Sequence, residues 1–119
     1  MVTLRVGTDL VEVARLERLL GAVGEPLLTR VWTPVERADS RGRAESLAAR
    51  WAAKEAALKA LGVGVDAFPM TDIEIAAGPS LVLRGRALQA AQELGLDQWA
   101  VSLSHDGGYA LAFVVATGP

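Results

Sequence analysis

Ala44-Glu45-Ser46-Leu47-Ala48-Ala49-Arg50-Trp51-Ala52-Ala53-Lys54-Glu55-Ala56-Ala57-Leu58-Lys59-Ala60-Leu61-Gly62 is the stretch that decides how this chain folds. It is dominated by alanine and leucine, carries no proline, and stops at a glycine, so it reads as a helix over 44–61. At 100° per residue, Leu47, Trp51, Leu58 and Leu61 form one apolar stripe, the face expected to meet the core. Lys54 falls inside that stripe, where it must snorkel to water or pair with a carboxylate. Glu55 and Lys59 stand four apart on the flank, beside Ala48 and Ala52. They fit an ordinary helix pair contributing about 0.2–0.5 kcal/mol. They also fit a groove of small residues in which a carboxylate and an ammonium meet a phosphate–metal complex.

Working outward, Thr33-Pro34-Val35-Glu36 has the form of a helix start, with Thr33 as cap, Pro34 in the first turn and Glu36 closing a capping box. Arg41-Gly42-Arg43 breaks that helix. Nearer the start, the alternation over 3–8 predicts a short strand ending near Asp9. From Leu10, the spacing of Val13, Leu16, Leu20 and Val23 predicts a helix that stops around Gly21–Gly24. Asp9 is therefore expected at the junction, where a carboxylate can cap free helical amides. Beyond Gly62, residues 62–69 read as a loop, followed by strands at 71–77 and 80–84 separated by Gly78-Pro79. A helix over 86–94 ends at Gly95, and strands over 99–104 and 109–116 are joined by His105-Asp106-Gly107-Gly108. His105 is then a turn histidine bonded to backbone, or a phosphate contact beside glycines that let amides approach. The sum is an α+β fold, a mostly antiparallel sheet with helices packed on one side, in one domain over 1–119.

Composition narrows the function. Of 119 residues 51% are apolar, a surplus for a chain with so small an interior, yet no run approaches a membrane span. A subunit interface is the expected home for that surplus. The first residues carry no secretory apolar stretch, which points to a cytoplasmic protein. The absence of cysteine excludes thiolate sites, and with a single histidine an ordinary zinc site is not expected. A metal would be a hard cation on carboxylates: magnesium, manganese or calcium. The net charge of −2 gives no support for nucleic-acid binding. Arg30, Arg37, Arg41, Arg43 and Arg50 cluster in the first half, a pattern that on charge alone describes a solvated face.

Three motifs, in order, carry a resemblance. Gly7-Thr8-Asp9-Leu10-Val11-Glu12-Val13-Ala14-Arg15 resembles the N-terminal signature of the holo-acyl-carrier-protein synthases, the short type of 4′-phosphopantetheinyl transferase. Arg50-Trp51-Ala52-Ala53-Lys54-Glu55-Ala56-Ala57-Leu58-Lys59-Ala60-Leu61-Gly62 is similar to their central helix, and Val101-Ser102-Leu103-Ser104-His105-Asp106 to their C-terminal strand and turn. The resemblance implies transfer of 4′-phosphopantetheine from coenzyme A to a serine of apo acyl carrier protein, in support of fatty acid biosynthesis. It implies a magnesium ion held by Asp9 and Glu55 with the coenzyme A pyrophosphate. Lys59 would reach the phosphates and neutralise the leaving group, with Arg50, His105, Gly62 and Gly64 around coenzyme A. Lys54 belongs to the pattern either as a substrate contact or as support for Glu55. Arg15 would dock the carrier protein. The resemblance also implies a homotrimer with active sites between subunits.

The chemistry agrees, because phosphoryl-type transfer asks mainly for positioning and charge neutralisation. The carrier serine would attack the β-phosphate and release adenosine 3′,5′-bisphosphate, with Asp9 or a water beside the metal taking the proton. The chain departs from the pattern at Ala22 and Glu25, where basic residues are usual, and at Val63, where a threonine is usual; Arg18 could substitute in docking. Gly78-Pro79 also lacks a basic residue often found between the two. Two rivals belong to other classes. One is a binding module without turnover, which need not keep Asp9, Glu55 and Lys59. The other is a magnesium-dependent phosphohydrolase, which need not keep Arg15.

Overall fold

The computed structural model describes residues 2–119. The long helix runs over Ala44–Leu61 (α4), as its composition predicts, and Gly62 ends it in the left-handed conformation at φ 75°. Three helices precede it: α1 (Val13–Val23), α2 (Glu25–Val31) and α3 (Pro34–Ser40). A short helix, α5 (Gly85–Glu93), follows later. Strands β1 (Thr3–Glu12), β4 (Gln98–Asp106) and β5 (Tyr109–Gly118) form one antiparallel sheet in the order β1-β5-β4. Strands β2 (Ile73–Ala76) and β3 (Ser80–Leu83) form a separate antiparallel hairpin.

Thr33 and Glu36 form the expected capping box at the start of α3: the Thr33 hydroxyl accepts from Glu36 N, and Glu36 Oε1 accepts from Thr33 N. Two other expectations are corrected. The first strand does not end near Asp9 but continues to Glu12, pairing Asp9 with Ala112, so Asp9 caps no helix. The apolar spacing from Leu10 onward suits strand and helix alike over its first turn, and pairing with the full length of β5 prevails. His105 likewise lies within β4, opposite Ala110, with only Gly107 and Gly108 making the turn. No element is predicted from sequence over 25–31, where the structure forms α2 with Gly24 at its N-cap and Pro26 in its first turn.

The core explains the alanine. Ala48, Ala52, Ala53, Ala56, Ala57 and Ala60 are all fully buried, so α4 is enclosed on nearly every side. Small side chains let it lie directly on the sheet. A Cβ added at Gly7 would come within 1.9 Å of the Ala56 carbonyl oxygen, so β1 and α4 touch main chain to main chain. Trp51 meets Trp32 edge-on with ring centroids 5.5 Å apart, closing a second part of the core under α1 and α2.

The sheet is covered on one face only. Gly7, Ala110, Ala112, Val114 and Ala116 turn inward and are buried. The other face turns Leu4, Val6, Leu10, Leu111 and Phe113 outward, each between 43% and 63% exposed. The alternation that identifies β1 thus places its larger apolar side chains away from α4. Among the described residues, no helix is long and apolar enough to cross a membrane.

Candidate active site

Asp9 reaches inward from β1 toward the flank of α4, where Lys59 waits. Lys59 Nζ lies 3.1 Å from Asp9 Oδ1 and donates to the Thr8 carbonyl at 2.9 Å. The helical pair expected between Glu55 and Lys59 is not what forms; Lys59 crosses to the strand instead. Glu55 is oriented from below by Trp51, whose indole N–H donates to its Oε1 at 2.9 Å. Asp9 and Glu55 line one cleft of about 270 Å³, together with Leu10, Glu12, Arg15 and Leu19. Arg15 is exposed at the edge of that cleft.

Two carboxylates on a half-open cleft wall, one beside an ammonium, fit a magnesium ion that keeps several waters and takes phosphate oxygens. Among the described residues, no three acidic, histidine or cysteine side chains are grouped so that they could hold a metal ion between them.

Arg50 and His105 lie elsewhere. They line a second cleft of about 280 Å³ with Arg43, Ser46 and Ser104, and no residue lines both clefts. Arg50 Nε donates to the Ile75 carbonyl at 3.2 Å, and its Nη1 donates to the Ser46 hydroxyl. His105 Nδ1 stands 3.4 Å from Glu45 Oε2. Gly62 caps α4, and a Cβ there would meet the Arg5 guanidinium at 2.7 Å; Gly64 is open to solvent in the loop that follows.

Lys54 belongs to neither cleft. Its ammonium is fully buried, 2.7 Å from Glu36 Oε1, and donates to the carbonyls of Met70 and Ile73. Burial pulls its pKa below the usual lysine value, against the charge and hydrogen bond of Glu36. Nearby, Thr33 Oγ1 donates to Glu74 Oε2 at 2.6 Å, and Arg84 stands 3.2 Å from the other oxygen. The Thr33 bond lowers the Glu74 pKa most, burial opposes it, and Arg84 adds to the lowering.

Sequence reasoning singled out neither Arg5 nor Ser46, and read Arg43 only as part of a solvated face. The signal for Arg5 was present, since Arg5, Gly7 and Asp9 alternate onto one face of β1. Arg43 and Ser46 precede Arg50 by about two turns and one turn of α4, so helical spacing shows them near its side.

The arrangement is that of a fold in which a sheet-borne carboxylate meets a carboxylate and lysine on one central helix. The profile of the 4′-phosphopantetheinyl transferase superfamily matches residues 5–114. The chain belongs to that superfamily. It is 47% identical to the holo-[acyl-carrier-protein] synthase of Herpetosiphon aurantiacus, over 94% of this chain and 97% of that one. Among solved structures it is similar to the ACPS–CoA complex of Chronobacterium ammoniagenes, at TM-score 0.85 and 32% identity, over 98% of each chain. It is also similar to the Helicobacter pylori holo-[acyl-carrier-protein] synthase in complex with coenzyme A, at TM-score 0.81 and 29% identity, over 93% of this chain and 98% of that one.

Proposed function

We propose that this chain transfers 4′-phosphopantetheine from coenzyme A to a serine hydroxyl of apo acyl carrier protein, with magnesium, in the cytoplasm. The observation that carries the reading is that Asp9 and Glu55 line one cleft whose rim holds Arg15, while Lys59 pairs with Asp9. The superfamily and the holo-[acyl-carrier-protein] synthases it resembles over nearly full length support the same activity.

Asp9 and Glu55 would hold magnesium, which supplies charge neutralisation at the pyrophosphate when bound. The carrier serine oxygen attacks the β-phosphorus of coenzyme A while the bond from that phosphorus to the bridging oxygen breaks. Adenosine 3′,5′-bisphosphate leaves. Asp9, on the β1 wall of the cleft, would take the serine proton directly or through a water beside it. Lys59 aims an ammonium at the same region, where charge grows on the departing phosphate. Arg15 on α1 faces whatever brings the serine in, and an acidic carrier surface suits it.

A homotrimer with shared sites is the assembly this reading takes, and two features support association of copies. The outer sheet face exposes Leu4, Val6, Leu10, Leu111 and Phe113, an apolar patch that a second copy would cover. The phosphate-binding candidates Arg50 and His105 lie in a different cleft from Asp9 and Glu55, so a neighbour's Arg50 and His105 are the ones that would complete each site. Gly62 and Gly64 would border the coenzyme A phosphates beside Lys59.

The test is to follow release of adenosine 3′,5′-bisphosphate from coenzyme A. Release that needs both magnesium and apo carrier protein supports the transferase. Equal release without carrier protein makes the chain a hydrolase, and none with either makes it a binding module.

A further inference from the structure

The free edge of β2 is closed by acidic and basic side chains instead of by another strand. Ile73 N–H bonds to the Met70 carbonyl within its own turn. Ile73 O accepts from Lys54, Ile75 N–H donates to Glu36 Oε2 at 2.9 Å, and Ile75 O accepts from Arg50 at 3.2 Å. Ala77 N–H donates to Asp39 Oδ2 at 3.2 Å. Arg50 and Lys54 are one turn apart on α4, and Glu36 and Asp39 are neighbours on α3. A basic row and an acidic row thus grip the same strand edge, and the Lys54–Glu36 pair at 2.7 Å ties the rows together.

On the opposite side, α4 is held to β1 by exposed hydrogen bonds from Lys59 to Asp9 and the Thr8 carbonyl, with no buried anchor like Lys54 among the described residues. It meets β1 at Gly7 through main chain alone, and its inner surface is alanine. A smooth contact of that kind limits distance but resists rotation poorly. Rotation matters here, because Glu55 follows Lys54 directly and Lys59 must reach Asp9. A carboxylate carried roughly 6 Å from a helix axis moves about 1 Å for every 10° of turn. A displacement of that size is enough to cost about a hundredfold in rate.

We propose that Lys54 is a positioning residue: paired with Glu36 and anchored on Met70 O and Ile73 O, it sets the rotation of α4 that aims Glu55 and Lys59 at Asp9. It touches neither coenzyme A nor metal. The proposal rests on reading Glu55 as a metal ligand. If Glu55→Gln leaves the wild-type rate and magnesium requirement unchanged, that reading falls independently of Lys54.

Lys54→Met and Glu36→Gln are the paired variants, because they break the same contact from two helices. Both are assayed below their own unfolding temperatures. Each should lower kcat about tenfold or more and raise the magnesium concentration for half-maximal rate, as loss of a ligand-orienting partner does. Calorimetric affinity for coenzyme A in EDTA should stay within about twofold of wild type, since no charged contact to phosphate is lost. In crystals of the wild-type protein with coenzyme A, Lys54 Nζ should remain on Glu36, Met70 O and Ile73 O. Three results overturn the proposal. One is a metal-free coenzyme A affinity that falls about tenfold in Lys54→Met but not in Glu36→Gln. Another is Lys54 Nζ bonded to a coenzyme A phosphate. The third is wild-type kcat and magnesium dependence in both variants, which would leave the pair a stability feature only. Should neither variant fold, the wild-type complex decides alone.

Discussion

Gly7→Ala puts a single methyl group where strand and helix are in contact. Its Cβ would lie 1.9 Å from the Ala56 carbonyl oxygen, 2.8 Å from the carbonyl carbon and 3.0 Å from Ala60 N. All three are main-chain atoms of a helix, so none can turn aside as a flexible side chain would. Ordinary contact begins near 3.4 Å, so β1 and α4 must part by about 1.5 Å. Overpacking a well-filled interior typically costs about 1–3 kcal/mol, and this substitution belongs at or above the upper end. The separation also carries Lys59 away from Asp9, which it now meets at 3.1 Å. Turnover should fall about a hundredfold even where the variant remains folded. Gly21→Ala is the control, because nothing lies within 4 Å of its added Cβ in α1. It should stabilise the protein by roughly 0.5–1 kcal/mol and leave turnover alone. Urea unfolding and steady-state transfer, measured on all three proteins, give both quantities. A Gly7→Ala protein with wild-type stability and rate would refute the close contact and the spacing argument built on it.

Other outcomes follow from the same geometry. Lys59→Ala should lower kcat more than it weakens coenzyme A binding, because its ammonium acts on charge that grows in the transition state; a loss of calorimetric affinity with unchanged kcat would contradict this. Phe113→Arg, on the exposed sheet face, should dissociate the assembly in sedimentation equilibrium and abolish transfer; a fully active monomer would contradict the shared site. Mixing Asp9→Ala with Arg50→Ala protein under subunit exchange should restore part of the activity that neither has alone, and no recovery would count against completion between subunits. Thr33→Val removes the strongest influence lowering the Glu74 pKa, while burial remains. A carboxylate lowered in the folded state stabilises it above the ordinary value near 4.5 and loses that contribution as pH falls through its folded value. The stability deficit of Thr33→Val should therefore be largest at neutral pH and shrink below about pH 4.5, leaving the pH-independent part due to the lost cap. A deficit constant with pH would show that Glu74 is not involved.

Much of this was legible in the sequence, for reasons that differ by element. The bounds of α4 follow from alanine content and a glycine stop, and the α3 capping box follows from side-chain chemistry local to four residues. Local signals of that kind survive folding. The extent of β1 does not follow from local signals, because its last residues are strand only by pairing with β5. The partner of Lys59 was hidden for the same reason: Asp9 is distant in sequence and adjacent only after the strand is laid on the helix. Lys54 was recognisable as anomalous inside an apolar stripe, yet its counter-charge on α3 could not be read from spacing. The site motifs were legible as a set, whereas their division between two clefts required the fold.

The most direct test is the mass of apo acyl carrier protein after incubation with coenzyme A, magnesium and this protein. The account predicts a gain of one phosphopantetheine group on the carrier serine. The gain should be lost when that serine is alanine and nearly lost with Asp9→Ala or Glu55→Ala. An unchanged carrier mass with every apo carrier protein tried, or an undiminished gain with Asp9→Ala and Glu55→Ala, would contradict it.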